Sequence, residues 1–264
     1  LKNITVFGSS NMAGHMICGY FSSNYSFNIK RVKESDIFTG DIITELYFSL
    51  IIPNPDYIIN CIRCLVEDSE INPEKAIIYN SYWPKLLEKM YQNTKTKIIH
   101  LSTDCVFSGE KGNYNENAIT DGYTYYARTK MIGEIINNKD LTIRASYIGP
   151  TINDNNEELF DWFLKQKGEI NGYSNAFWTG VTTLELAKGL YKLIDLGFTG
   201  LYHMAPRKKI SKHDLLVLIK KIWFKEDVII NKENSVNIDR SLIDNQQLIT
   251  LNNYPLKNDS MTHT

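Results

Sequence analysis

The order in which apolar runs and helical stretches follow one another constrains this chain most. Short β-branched runs stand at NITVFG (3–8), DYIINCI (56–62), TKIIHLST (96–103) and LTIRASYIG (141–149). Between them lie the helix-like stretches GHMICGYFSS (14–23), PEKAIIYNSYWPKLLEKMYQN (73–93) and YYARTKMIGEIINN (125–138). Near-continuous apolar strands alternating with helices imply a parallel sheet covered on both faces. Right-handed crossovers make it a Rossmann-like, doubly wound α/β sheet. FNIKRV (27–32) supplies a second, weaker strand.

After Gly149 the texture changes. ELFDWFLKQKG (158–168) reads as a helix closed by Gly168. TTLELAKGLYKLIDLG (182–197) opens on Thr caps and sets Leu184, Ala187, Leu190, Tyr191 and Ile194 on one face. KHDLLVLIKKIWF (212–224) is another amphipathic helix. A smaller C-terminal region, interleaved with returning pieces of the sheet, is expected here.

Bulk properties exclude several classes. With 43% hydrophobic and 22% charged residues over 264 positions, the chain has an ordinary globular composition. Its net charge of -1 gives no ground for a nucleic-acid or anionic-membrane partner. The densest basic run, PRKKISK (206–212), reads as a solvated loop. No apolar run approaches the ~18 residues of a membrane span. The N-terminus enters a strand without a signal-peptide pattern, so the cytoplasm is the expected location. Cys61 and Cys64 form a C-x-x-C, but no second ligand pair accompanies them, and burial at a strand end explains them without a metal.

In a doubly wound sheet, ligands lie beyond the carboxyl ends of the strands. Those ends fall at Gly8, Asn60–Cys61, Ser102–Thr103–Asp104 and Ser146. The turn ITVFGSSNMAGHMI (4–17) leaves the first strand at Gly8 and enters a helix at Gly14, with Ser10, Asn11 and Met12 between. Asn11 stands where the backbone would come nearest a pyrophosphate. Among residues with a side chain, Asn best tolerates a left-handed backbone. Its amide is also suited to donate to a phosphate oxygen beside the helix N-terminus.

A Y-x-x-x-K spacing puts phenol and ammonium on one helical face, where the positive charge favours phenolate. It occurs twice, at Tyr91/Lys95 and Tyr126/Lys130. The first pair ends a helix at the amino edge of the sheet. The second opens a helix that follows a strand's carboxyl edge, so it alone is expected to face Gly8 and Thr103.

The segment HLSTDCVFSGEKGNYNENAITDGYTYYARTKMIGE (100–134) resembles the extended short-chain dehydrogenases/reductases, and within them the dTDP-4-dehydrorhamnose reductase branch. TGDI (39–42), PDYIINCI (55–62), YNSYWPKLL (79–87), TIRASYIG (142–149), the stretch from Trp162 to Leu190, GLYHMA (200–205) and DRSL (239–242) extend the likeness over most of the chain. The resemblance implies an NADP-binding domain over 1–149, with returning pieces around 177–205, and a mainly substrate-binding region over 150–264. It implies reduction of the 4-keto group of a nucleotide-linked 6-deoxy sugar, of dTDP-rhamnose or UDP-linked N-acetyl type. Tyr126 would then protonate the carbonyl oxygen, Lys130 would bind the nicotinamide ribose and lower the Tyr126 pKa, and Thr103 would hydrogen-bond the carbonyl or the phenol. Gly8, Ser10, Asn11, Met12, Gly14, Asp41, Ile42, Asn60 and Cys61 would join Tyr126 and Lys130 around the cofactor. Lys30 and Arg31, at the end of the second strand, favour a 2′-phosphate, hence NADPH with NADH also allowed. Asp104, Val106, Phe107, Arg144, Asn175 and Trp178 would line the substrate pocket, although an ion pair is an alternative role for Arg144 and core packing one for Trp178. A homodimer is compatible with this reading. Fold and dinucleotide binding equally suit a regulatory subunit resembling the methionine adenosyltransferase β subunit, or a broader carbonyl reductase or epimerase; the retained Thr103, Tyr126 and Lys130 favour an enzyme.

Overall fold

A computed structural model describes residues 1–23, 27–39, 42–43, 54–152 and 158–243. The chain begins with strand β1 (Lys2–Phe7), helix α1 (Met12–Ser22) and β2 (Phe27–Val32), followed by a small hairpin of β3 (Phe38–Thr39) and β4 (Ile42–Ile43). Next come β5 (Tyr57–Asn60), α2 (Val66–Ile71), α3 (Pro73–Ala76), a π-helical stretch over Ile77–Tyr82, and α4 (Trp83–Tyr91). Then follow β6 (Lys97–Ser102), α5 (Tyr125–Gly133), β7 (Leu141–Arg144), β8 (Tyr147–Ile148) and α6 (Leu159–Lys165). The last described elements are β9 (Gly168–Trp178), β10 (Val181–Thr182), α7 (Thr183–Leu196), β11 (Gly200–His203), β12 (Ile210–Ser211), α8 (Lys212–Ile222) and β13 (Val228–Asp239).

Six strands form one parallel sheet in the order β11-β7-β6-β5-β1-β2. The chain steps outward from β1 to β2, then returns to β5 on the other side of β1. That reversal opens the crevice at which doubly wound sheets take their ligands. Alternation along each strand divides the core. Ile4, Val6, Ile59, Ile99 and Leu101 meet α1 and α7 on one face, while Phe7, Ile58 and Ile98 meet α4 on the other. The expected doubly wound sheet is therefore present, including FNIKRV as β2 in register with β1.

Several boundaries differ from expectation. The helix after residue 73 contains the π stretch that ends two residues before Pro84, a residue that cannot donate into a helix and crowds the carbonyl four positions back. On α7 the buried stripe is Leu186, Ala187, Leu190, Leu193 and Ile194, whereas Leu184 is exposed. Helix α6 ends at Lys165, and Gly168, at φ +73, opens β9 instead of closing the helix. The C-terminal region also builds a three-stranded sheet, β12-β9-β13, over which α8 packs through Leu215, Leu216 and Ile219. No helix among the described residues is long and apolar enough to cross a membrane.

Candidate active site

The first turn is shaped by contacts that only glycine allows. Gly8 adopts φ +74, and a Cβ there would lie 3.0 Å from the Cys61 and Ile62 backbone. A Cβ on Gly14 would run into the Gly8 carbonyl. Asn11 is not left-handed: it is extended, at φ -82 and ψ 172, and caps α1. Its Oδ1 accepts from Gly14 N at 2.8 Å, while Nδ2 donates to Cys61 O at 2.5 Å and the amide also bonds the Glu34 carboxylate. The side chain thus ties together the ends of β1, β2 and β5 across the switch point, and its amide is already committed. Ser10 is half-buried in the same turn, and Met12 reaches the cavity beyond it.

That cavity, of about 280 Å³, lies at the carboxyl ends of β5, β6 and β7. It gathers Met12, Cys61, Thr103, Asp104, Tyr126 and Lys130, together with Trp178 from the C-terminal region. The topological choice between the two Y-x-x-x-K pairs agrees with this placement. Tyr91 is buried in the core on the α4 side, away from the cavity. Thr124 caps α5 by accepting from Ala127 N at 3.1 Å, which starts the helix so that Tyr126 and Lys130 face inward. Thr103 hydrogen-bonds Tyr126 and donates to Asp104 Oδ1 at 3.1 Å. Lys130 is 2% exposed, and its Nζ donates to Leu101 O at 2.7 Å.

The electrostatics centre on a residue that sequence reasoning passed over, Arg63. Its guanidinium pairs with Glu158, lies 5.4 Å from the Tyr147 ring centroid, and hydrogen-bonds Tyr126. Burial pushes the Tyr126 phenol well above its ordinary value; the Arg63 charge and the Thr103 hydrogen bond pull it back. Burial, reinforced by repulsion from Arg63, pushes Lys130 down to about 7. Lys212 was also missed. It reaches the cavity from the start of α8, with Nζ 4.8 Å above the Trp178 ring and its charge near Asp104.

Other expected residues lie elsewhere. Arg144 is engaged by Glu134 and by His203 (Nη1 to Nε2, 3.4 Å), so its alternative role as an ion pair is the one the fold gives it. Val106 and Phe107 are fully buried in a satellite core with Tyr114 and Leu242, and do not line the cavity. Asn175 sits half-buried in β9 opposite Asn237. The Asn60 side chain turns inward to His100 and Trp83, at 3.0 Å each, and leaves only Cys61 of that pair facing the cavity. Arg31 reaches Ser22 Oγ at 3.3 Å, near the far end of α1. Lys30 is exposed on β2. Asp41 and the Ile42 side chain fall outside the described residues. Cys61 and Cys64 are free thiols, both buried.

A sequence profile of the RmlD substrate binding domain matches residues 2–237. The chain belongs to that family. A probable low-salt glycan biosynthesis reductase, Agl14, of Haloferax volcanii is 25% identical over 239 residues, covering 86% of this chain and 78% of the relative. The structure of a dTDP-4-dehydrorhamnose reductase ortholog from Clostridium acetobutylicum superposes with a TM-score of 0.80 at 22% identity, covering 94% of this chain and 92% of that one. A dTDP-4-dehydrorhamnose reductase from Bacillus anthracis, in complex with NADP, gives 0.81 at 17% identity with the same coverages. In this RmlD-family chain the cavity lies beyond the carboxyl ends of the strands, where doubly wound sheets take their ligands.

Proposed function

We propose that this RmlD-family chain is an oxidoreductase that reduces the 4-keto group of a nucleotide-linked 6-deoxy sugar, with NADPH as hydride donor and NADH also accepted. The observation that carries this reading is the convergence of Thr103, Tyr126 and Lys130 in one cavity at the carboxyl edge of the sheet. The glycine turn and the eleven-residue helix α1 suit a pyrophosphate, because the helix N-terminus presents N–H groups and a positive dipole end. The dinucleotide, when bound, supplies the hydride. Tyr126 gives its hydroxyl proton to the sugar's carbonyl oxygen, and Thr103 fixes the phenol's direction. Lys130 would hold the nicotinamide ribose. Lys212, at the cavity wall, brings positive charge suited to an anionic nucleotide-sugar.

The test follows NADPH absorbance with 4-keto-6-deoxy dTDP-, UDP- and GDP-sugars. Turnover with at least one of them, lost by about 100-fold or more in Tyr126→Phe with NADPH affinity retained, supports the reading. Tyr91→Phe serves as the control and keeps wild-type turnover. Tight NADPH binding with no oxidation by any of the three would overturn it in favour of a regulatory role.

A further inference from the structure

The residue the cavity leaves unexplained is Arg63, a cation in a loop between β5 and α2. We propose that Arg63 is a positioning residue for Tyr126: its guanidinium holds the phenol oxygen and supplies the positive charge against which phenolate forms. This rests on the reductase reading of the same site.

Three observations place it there. Arg63, Tyr126 and Glu158 line both the 280 Å³ inner cavity and an adjoining groove of about 910 Å³ that extends to Glu34. Arg63 therefore stands on the wall between the reacting end and the end of β2. Its position is over-determined: Glu158 pairs with it from the C-terminal region, the Tyr147 ring lies beside it, and its backbone N–H donates to the Glu34 carboxylate. Lys130, the cation expected to act on Tyr126, spends a hydrogen bond on Leu101 O instead.

The two cations also differ in permanence. A guanidinium stays protonated throughout the range in which an enzyme works. Lys130, pushed down to about 7, loses its charge within that range. Above neutrality the fixed charge at Tyr126 is that of Arg63. In the reducing direction a C–H bond forms at the carbonyl carbon as the dinucleotide is oxidised, the Tyr126 O–H bond breaks, and a new O–H bond forms on the sugar. The electron pair left on the phenol oxygen faces Arg63 until a proton from solvent restores the hydroxyl.

The experiment places a fluorinated tyrosine, intrinsically more acidic, at position 126 and follows its titration by fluorine NMR in the ligand-free protein. Glu158→Gln should lower the midpoint by removing a competing negative charge. Adding Arg63→Met in that background should raise the midpoint by about one pH unit or more, and Arg63→Lys alone should stay nearer to wild type. Lys130→Met should move it less than loss of Arg63. A midpoint that ignores Arg63→Met, or that follows Lys130 instead, overturns the proposal. Because no substrate is present, this outcome is independent of whether any nucleotide-sugar is turned over. In turnover, Arg63→Met should lower kcat by about 100-fold while KM and dinucleotide affinity stay within about threefold; a loss confined to dinucleotide affinity would make Arg63 a phosphate ligand and overturn the assignment.

Discussion

Arg144 and Glu134 close a two-pronged ion pair beside the end of β7, Nε to Oε1 and Nη2 to Oε2 both at 2.7 Å. Both side chains are nearly inaccessible, at 4% and 3% exposure, and Ser102 Oγ adds a third hydrogen bond to Glu134 at 2.6 Å. Breaking such a pair strands a buried charge. Arg144→Met should therefore cost about 3–5 kcal/mol of stability in urea unfolding, and the double variant Arg144→Met/Glu134→Leu should recover much of it. Dinucleotide affinity of the folded double variant should remain within about threefold of wild type. A large selective loss of substrate affinity without loss of stability would return Arg144 to the substrate pocket.

Lys130 makes stability depend on pH. Its folded pKa, about 7, lies below the 10.5 of an ordinary lysine, so the folded state favours the neutral amine. Between those values the unfolded chain holds a proton that the folded chain has released, and stability gains with rising pH through that window. Below about 7 both states hold the proton, and the buried charge costs its full amount. Lys130→Met should accordingly stabilise the protein more at pH 6.5 than at pH 9.5. The difference between variant and wild type should shrink by at most tenfold in equilibrium constant per pH unit, as one proton dictates. Parallel pH dependences for the two proteins would show that Lys130 titrates normally.

The sheet was legible because burial on both faces leaves its strands as nearly unbroken β-branched runs. The catalytic candidates were legible because topology assigns each Y-x-x-x-K to one edge of the sheet. Arg63 carries no periodicity, only its place two residues beyond a strand end at Cys61; scanning that edge for charges would have found it. Lys212 reaches the cavity through the packing of α8 on a sheet whose strand VIINKENSVNID is too polar to announce itself. Arg144 and Phe107 were expected in the pocket from the resemblance, which does not reveal which face a side chain takes. Their partners, Glu134 and Tyr114, are what turn them inward.

Asn11 offers a way to separate capping from phosphate binding. Its carbonyl oxygen caps α1 and its amide ties the turn to Cys61, so Asn11→Ala should lose about 1–2 kcal/mol in unfolding free energy. Asn11→Asp keeps the cap acceptor but sets a negative charge at the helix N-terminus where the pyrophosphate belongs. Its second oxygen would face Cys61 O and the Glu34 carboxylate, so the variant should lose at least as much stability as Asn11→Ala, while weakening NADPH binding by about tenfold, read by fluorescence titration. Unchanged affinity in Asn11→Asp would place the pyrophosphate elsewhere.

Glu34 is expected to weigh on cofactor preference. The sequence drew attention to Lys30 and Arg31, but the Arg31 guanidinium reaches back to Ser22, while the Glu34 carboxylate sits at the end of β2 against Asn11 and the Arg63 N–H. Burial raises its pKa, and Arg63, Lys75 and those hydrogen bonds counter that rise. An ionised carboxylate at this point suits a ribose 2′-hydroxyl and repels a 2′-phosphate. Its charge therefore narrows whatever advantage the basic residues of β2 give NADPH over NADH. Glu34→Gln removes the charge at nearly constant shape. Titrating both dinucleotides against both proteins, the NADPH-to-NADH affinity ratio should rise by about tenfold, equivalent to about 1.4 kcal/mol. Arg31→Ala should leave that ratio close to wild type. If Arg31→Ala collapses the ratio and Glu34→Gln leaves it untouched, the 2′-phosphate is read from β2 itself and not from the turn that follows it.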